Sequence, residues 1–423
     1  MVANPIESLM PFQKRRILCV LPIPYQDSWG FWHRDLGLIV RTFRSMGHDA
    51  WLVALKVPGQ DHASENPVIV ATKEELEDPA WWKNQAPYGA VLNFWGATRW
   101  NKIREAARTS TSRVIEKLDT AGIFSPRIWF TRYICDEASQ NYDSHKYPGI
   151  ISPIMAIIRT LLLWSFPNLL DRKRAAILSE MSSVVAESPI AVERTKRYIR
   201  SFNFPLPRTL CIPHPIDEFK LRANSNISRK SKIISVGRWD SHQKNFPLII
   251  RVLERFLRTK SDWTCDLVGY IPAVYRIKYY EPLPSDLKKR INLCGVIPHS
   301  EIIDLAYSAK IFLMASRYES FGIAAAEALC CGCSVVGPYF IPSMLWFCSA
   351  ESGTIYSQYT TEGVMDALLA ESTQWAGRDR KPESIAAFWT GQFASHVIAT
   401  SLVNLLNEHP SYARSQLSHE SDN

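Results

Sequence analysis

The chain has 423 residues, past the size at which one hydrophobic core stops growing, so two domains of roughly 200 residues each are the default. A hydrophobic share of 46% and a charged share of 21% exclude a largely disordered chain. The formal net charge of +8 favours anionic partners, and because Lys and Arg are spread along the whole length, with short clusters only at Lys14-Arg15-Arg16 and Arg172-Lys173-Arg174, no nucleic-acid partner is expected.

Ile17 to Leu21 follows basic residues but is too short for the core of a signal peptide, and Arg16 to Leu21 reads as a first strand. A helix over Arg34 to Met46, strands over Ala50 to Leu55 and Ala90 to Phe94, and a helix over Lys102 to Asp119 continue the alternation. Arg127 to Tyr133 reads as a further strand, and Ser183 to Ala186 and Thr209 to Ile212 complete the set. Such alternation predicts a parallel sheet with helices on both faces. Ile150 to Leu170 is largely apolar and precedes a basic triplet, which superficially resembles a membrane span. Arg159 in its middle and Pro153 and Pro167 near its ends favour a buried helix, with an interfacial helix and a true span as the alternatives.

Arg222 to Lys230 has almost no apolar content and reads as a hinge. The rhythm then restarts: strand Lys232 to Val236, helix Pro247 to Arg258, strands Thr264 to Val268 and Ile291 to Leu293, helix Ser300 to Ala306, strand Ile311 to Met314, helix Ile323 to Cys331, strand Ser334 to Val336. The expected fold class is α/β, two doubly wound Rossmann-like domains facing across a cleft, with a ligand at the carboxyl ends of the strands. The expected division is an acceptor-side domain over 1–221, a donor-binding domain over 222–385, a last amphipathic helix within 386–410 carrying Trp389 and Val397 to Leu406 back towards the first domain, and a tail over 411–423. The nine cysteines, an odd number without paired spacing, suggest a reduced, cytoplasmic protein. Cys330, Cys331 and Cys333 are too compressed for a four-ligand zinc site and read as buried thiols.

The segment Ser316 to Gly337 carries the most chemistry. It reads as strand, loop, helix, turn and strand, with Gly322 opening a helix of strong formers, so that free N–H groups and the positive end of the helix dipole offer a seat for a pyrophosphate. Ser320 and Phe321 share that seat. Glu327 inside the helix is placed to accept hydrogen bonds from ribose hydroxyls, and Glu319 in the loop to reach a sugar beyond the phosphates. This segment resembles the E-x7-E element of retaining glycosyltransferases of family 4, which have the two-domain GT-B fold. The resemblance implies that Glu327 binds the nucleotide ribose and Glu319 contacts the donor sugar. Ser235-Val236-Gly237-Arg238 with Lys244-Asn245 resembles the same family's donor loop, in which Gly237 permits close backbone approach while Arg238 and Lys244 supply fixed positive charge to a departing diphosphate. Ile212 to Phe219 resembles the family's crossing point, with His214 and Pro215 in place of Asn-Gly, and Cys294-Gly295-Val296 through the helix that follows resembles the nucleobase bracket.

Departures concentrate on the acceptor side. Where the family often has a Gly-Gly pair after the first strand, Asp27 to Trp32 offers Gly30 alone, flanked by tryptophans. Where a catalytic-side histidine often follows a middle strand, Tyr133 or Arg132 occupies the neighbourhood. Nine of the fourteen tryptophans precede residue 171, and Trp29, Trp32, Trp95 and Trp100 follow strands and are candidates for a sugar-binding wall, although most tryptophans are core. His33 and His145 are weaker candidates for a base.

No Asp-x-Asp triplet occurs, so no metal and no cofactor is expected, and cationic side chains and a helix end carry the electrostatics. The expected activity is transfer of a sugar from a nucleoside diphosphate sugar to a glycan, lipid or small-molecule acceptor with retention of configuration, with peripheral contact to an anionic membrane left open. The alternative is a catalytically weak nucleotide- or glycan-binding partner subunit. A dinucleotide-dependent oxidoreductase is excluded, because the turn after Leu21 holds Pro22 and Pro24 and no Gly-x-Gly-x-x-Gly.

Overall fold

A computed structural model describes residues 16–25, 32–56, 65–111, 113–126, 129–143, 151–218, 221 and 228–408. Trp29, Gly30, His145, hinge residues 222–227 and the tail from 409 lie outside the described residues.

Thirteen strands form the described sheets: β1 Arg16–Pro24, β2 Asp49–Leu55, β3 Val68–Ala71, β4 Tyr88–Leu92, β5 Val114–Leu118, β6 Ser183–Ala186, β7 Arg208–Cys211, β8 Lys232–Val236, β9 Thr264–Val268, β10 Ile291–Gly295, β11 Ile311–Leu313, β12 Ser334–Pro338 and β13 Gly353–Tyr356. They make a seven-stranded sheet in the order β3-β2-β1-β4-β5-β6-β7 and a six-stranded sheet in the order β10-β9-β8-β11-β12-β13. The ladders are parallel, Ile233 facing Ile311 and Ile234 facing Phe312 across β8 and β11. Strands covered on both faces read as continuous apolar runs rather than alternations, and β12 is buried at every position. This is the α/β class with two doubly wound sheets that the alternation implied. In each sheet the order reverses once, between β1 and β4 and between β8 and β11, and loops at the carboxyl ends of strands on either side of such a reversal diverge to leave a crevice.

Two compact units divide the chain, one from 1–117, 181–183 and 399–423, the other from 118–180 and 184–398. In the first, Leu406 packs on Gly89, where a β carbon would come within 3.0 Å of its Cδ2. The core of the second unit includes Trp239, Phe246, Phe256 and Leu313 around β8 and β11.

Several local expectations are corrected. The helix read over Lys102 to Asp119 stops at Ser110, because Thr111 is extended and the β-branched pair Val114-Ile115 opens β5. The strand read over Arg127 to Tyr133 is, where described, the start of the helix Phe130–Asp143. The single C-terminal helix is two, Pro382–Phe393 and Ser395–Asn407, broken where Ala394 bridges to Ile216. Arg229, read as hinge, is anchored instead, its Nη1 donating to Ala309 O at 2.5 Å. The apolar stretch from Ile150 is not a buried helix. Over Ile151–Ser165 it buries Ala156 and Thr160 and leaves Ile154, Ile158, Leu161 and Leu162 exposed.

Candidate functional site

The carboxyl end of β8 is built by close backbone packing. Gly237 donates its N–H to Val268 O at 3.0 Å, and a β carbon on it would lie 3.1 Å from Lys244 Cγ. Gly269, at φ +120°, is tighter still, since its β carbon would stand 1.9 Å from Gly237 O. Trp239 is buried and donates Nε1–H to Val268 O at 2.9 Å, which pins the loop and turns its neighbour Arg238 out to solvent. Arg238 makes no ion pair among the described residues. A short turn, His242–Lys244, is capped by Ser241 Oγ, which accepts from Gln243 N–H at 3.1 Å. Asn245 then adopts φ +52°, a left-handed conformation that Asn tolerates, and opens the helix Phe246–Thr259. Its amide donates to Tyr359 Oη at 2.9 Å and accepts from Arg317 Nη2 at 3.2 Å.

The loop after β11 locks onto this turn. Gln243 Nε2–H donates to Tyr318 O at 2.8 Å, and Arg317 N–H donates to Gln243 O at 2.8 Å. Lys244 Nζ pairs with Glu319 Oε1, their side chains 20% and 10% exposed. Gly322, at φ +86°, begins the helix Ile323–Cys330; Met314 Cε lies 2.9 Å from where its β carbon would be. First-turn N–H groups of a helix have no partner within the helix and carry partial positive charge. Inside the helix, Glu327 Oε1 stands 2.8 Å from His299 Nε2, each side chain 19% exposed, and His299 opens the helix His299–Ser308 that follows β10. Phe321 is fully buried among His214, Phe347 and Phe393 at ring distances of 5.5, 5.2 and 5.4 Å, so only its backbone is available to a ligand.

Arg238 and Lys244 therefore follow β8, while Glu319, Ser320 and Gly322 follow β11, and these adjacent strands flank the reversal of the six-stranded sheet. The region can hold an anion beside fixed positive charge and offer carboxylates to hydroxyl groups. Its thiols are not reactive: burial raises Cys330 to about 12 and Cys333 to about 11.

Other residues singled out from the sequence lie elsewhere or play packing parts. Trp32 is 4% exposed and meets Tyr25 edge-on at 6.4 Å, and Trp100 is buried, so neither offers an exposed wall. His33 Nδ1 lies 2.6 Å from Arg41 Nη1. Tyr133 is half-buried in the helix Phe130–Asp143, and burial, reinforced by Glu137, raises its phenol so that it stays neutral. Arg132 in the same helix pairs with Asp136, donates to Arg317 O and stacks on Phe340 at 4.3 Å. His214, noted only as a departure, is buried against Glu187 and lies 3.4 Å from Asp119 Oδ1. The donor atoms of these three lie within 4.8 Å of one another, a set that can share a proton or hold a cation. Sequence reasoning missed Gly269, His299, Gln243 and Tyr359. A glycine directly after a strand was a legible signal for the first; the others are distant in sequence from the groups they hold.

This arrangement of parallel sheets is that of GT-B glycosyltransferases, and solved structures share it over nearly the whole chain. A glycosyltransferase from Rickettsia africae matches with TM-score 0.61 at 14% identity, covering 94% of this chain and 100% of its own. Anabaena HepE in complex with UDP matches with TM-score 0.60 at 16% identity, covering 92% and 99%. Sucrose-phosphate synthase from Thermosynechococcus elongatus matches with TM-score 0.58 at 16% identity, covering 93% and 98%. More narrowly, residues 217–369 match the family model of glycosyl transferases group 1, a span that contains Arg238, Lys244, Glu319 and Glu327. No curated protein matches the chain in sequence.

Proposed function

We propose that the chain is a retaining, metal-independent glycosyltransferase of the family 4 type, moving a sugar from a nucleoside diphosphate sugar to a glycan, lipid or small-molecule acceptor. One observation carries this reading: the Lys244–Glu319 pair held against Gly237, at the strand-order reversal where the Glu327 helix also begins. In this reading Arg238 and Lys244 hold the diphosphate, and the N–H groups of Ser320, Phe321 and Gly322 face its oxygens. Glu319 contacts the donor sugar and Glu327 the ribose. The bond from the anomeric carbon to the phosphate oxygen breaks as the acceptor oxygen bonds to the same face of that carbon. The leaving diphosphate takes the acceptor proton, so no protein base is needed, and the two cations stabilise its growing charge. UDP in the Anabaena HepE structure supports a nucleotide donor.

On the acceptor side the assignment rests on Gly30, Trp32 and Tyr133, the Trp32 ring being buried. None of the nine cysteines is in a disulfide, which supports a reducing, cytoplasmic compartment, and the net charge of +8 favours peripheral contact with an anionic membrane.

A thermal-shift screen against UDP, GDP, ADP and their sugars, followed by turnover with whatever binds, tests the reading. Ligand at about 100 times its Kd adds about 2.7 kcal/mol of stability. Binding with transfer supports the enzyme, binding without transfer or hydrolysis supports the partner-subunit alternative, and no binding by any nucleotide overturns both.

A further inference from the structure

The helix Ile151–Ser165 inverts the usual amphipathic rule. A helix on the surface of a water-soluble domain turns its apolar stripe inward and its polar face out. Here the packed side holds small or polar Ala156 and Thr160, both fully buried, with Thr160 Oγ1–H donating to Ala156 O at 2.6 Å. Ile154, Ile157, Ile158, Leu161, Leu162 and Trp164 are instead 44% to 56% exposed. At 100° per residue these six spread over an arc of about 160° whose centre lies about 140° round from the Ala156 and Thr160 side. Phe166, just beyond the helix, extends the apolar surface at 57% exposure. A contiguous patch of this kind marks an interaction surface, unlike exposed apolar residues scattered singly.

Within this helix and the next, Pro167–Ser179, the exposed charge has one sign: the exposed charged residues are Arg159, Arg172 and Lys173, while the one acid, Asp171, is fully buried. Arg159 lies about 60° beyond the arc, between it and the packed side, and pairs with Glu137 at 2.6 Å.

We propose that this helix docks the protein onto the surface of an anionic bilayer, lying in the interfacial plane with the apolar arc among the acyl chains and Arg172 and Lys173 against the headgroups. The proposal deepens the membrane contact put forward above and does not depend on sugar transfer. Length argues for lying on the membrane rather than crossing it. Fifteen residues reach about 22 Å, short of a hydrocarbon core of about 30 Å, and no single helix among the described residues is long and apolar enough to cross. The following helix, bent away by 67°, is committed to the protein through buried Ala175 and Leu178 and a hydrogen bond from Tyr198 Oη–H to Asp171 O. Charge argues for lipid over a second copy of the chain, since a second copy presents the same cationic rim and anionic headgroups complement it.

Flotation of the full chain, without any nucleotide, on vesicles of phosphatidylcholine alone or with about 30 mol% phosphatidylserine decides this. Wild type floats with the anionic vesicles, and Trp164 emission shifts to the blue. Ile158→Glu with Leu162→Glu reduces the bound fraction about tenfold or more. Arg172→Gln with Lys173→Gln weakens binding to anionic vesicles alone and flattens its salt dependence. All these sites are exposed, and an unchanged melting curve confirms that the variants fold. Absence of flotation by wild type, or equal flotation by the glutamate variant, overturns the proposal. A sedimenting dimer lost in the glutamate variant without vesicle binding overturns it in favour of self-association.

Discussion

Lys244 Nζ and Glu319 Oε1 form an ion pair across 75 positions of sequence, and the Lys244 stem lies over Gly237, which has no side chain to displace it. The cation is thus held in place before any ligand arrives, and preorganisation of this kind is what makes a fixed charge effective in a transition state.

Lys244→Ala is expected to lower sugar-transfer turnover by about a hundredfold or more, on the order of 3 kcal/mol of barrier. The loss in folding stability is expected to be about 1 kcal/mol, because the pair is partly solvated. Steady-state turnover beside a denaturant titration checks both, and unchanged turnover would sink the role assigned to Lys244.

Gly269→Ala strains the fold without touching a charged group. The residue sits at φ +120° and its β carbon would stand 1.9 Å from Gly237 O. A loss of about 3 kcal/mol is expected, read as a lowered denaturation midpoint. A midpoint within error of wild type would contradict the packing described at the end of β8.

His299 acts on Glu327 by position. His299→Ala leaves the Glu327 carboxylate without the ring 2.8 Å away, and nucleotide affinity is expected to fall about tenfold, on the order of 1.4 kcal/mol. His299→Gln, which keeps a donor, should restore part of it. Calorimetric titration with the nucleotide found by the screen measures both; equal affinities in all three proteins would remove His299 from the site.

Asp136 gives a pH signature. Burial raises its carboxyl from 3.8 to about 6, against the opposing pull of Arg132. Between those values the folded state keeps a proton that the unfolded state releases, so stability falls as pH rises from about 4 to about 6 and levels off above, on the order of 3 kcal/mol in all. Asp136→Asn should flatten that part of the curve. Parallel curves for the two proteins, from melts at stepped pH, would show that Asp136 does not titrate there.

Much of the second half was legible because its signals are local. The strands Lys232–Val236 and Thr264–Val268 match their predicted bounds, since short, largely buried runs between turn residues read the same way in any context. Lys102 to Asp119 misled because a helical pattern runs directly into a strand there, and the break at Thr111 lies in backbone conformation rather than polarity.

By itself the sequence determined two doubly wound sheets and the run of Gly237, Arg238, Lys244, Glu319, Gly322 and Glu327, because period, turn glycines and loop chemistry are properties of neighbours along the chain. Only the tertiary structure decided that Lys244 meets Glu319, that His299 meets Glu327, that Gly269 admits no β carbon, and that the apolar helix at Ile151–Ser165 faces outward. Each of those depends on which surfaces distant segments cover. An apolar stretch has the same composition buried or exposed, and only the packing around it distinguishes the two.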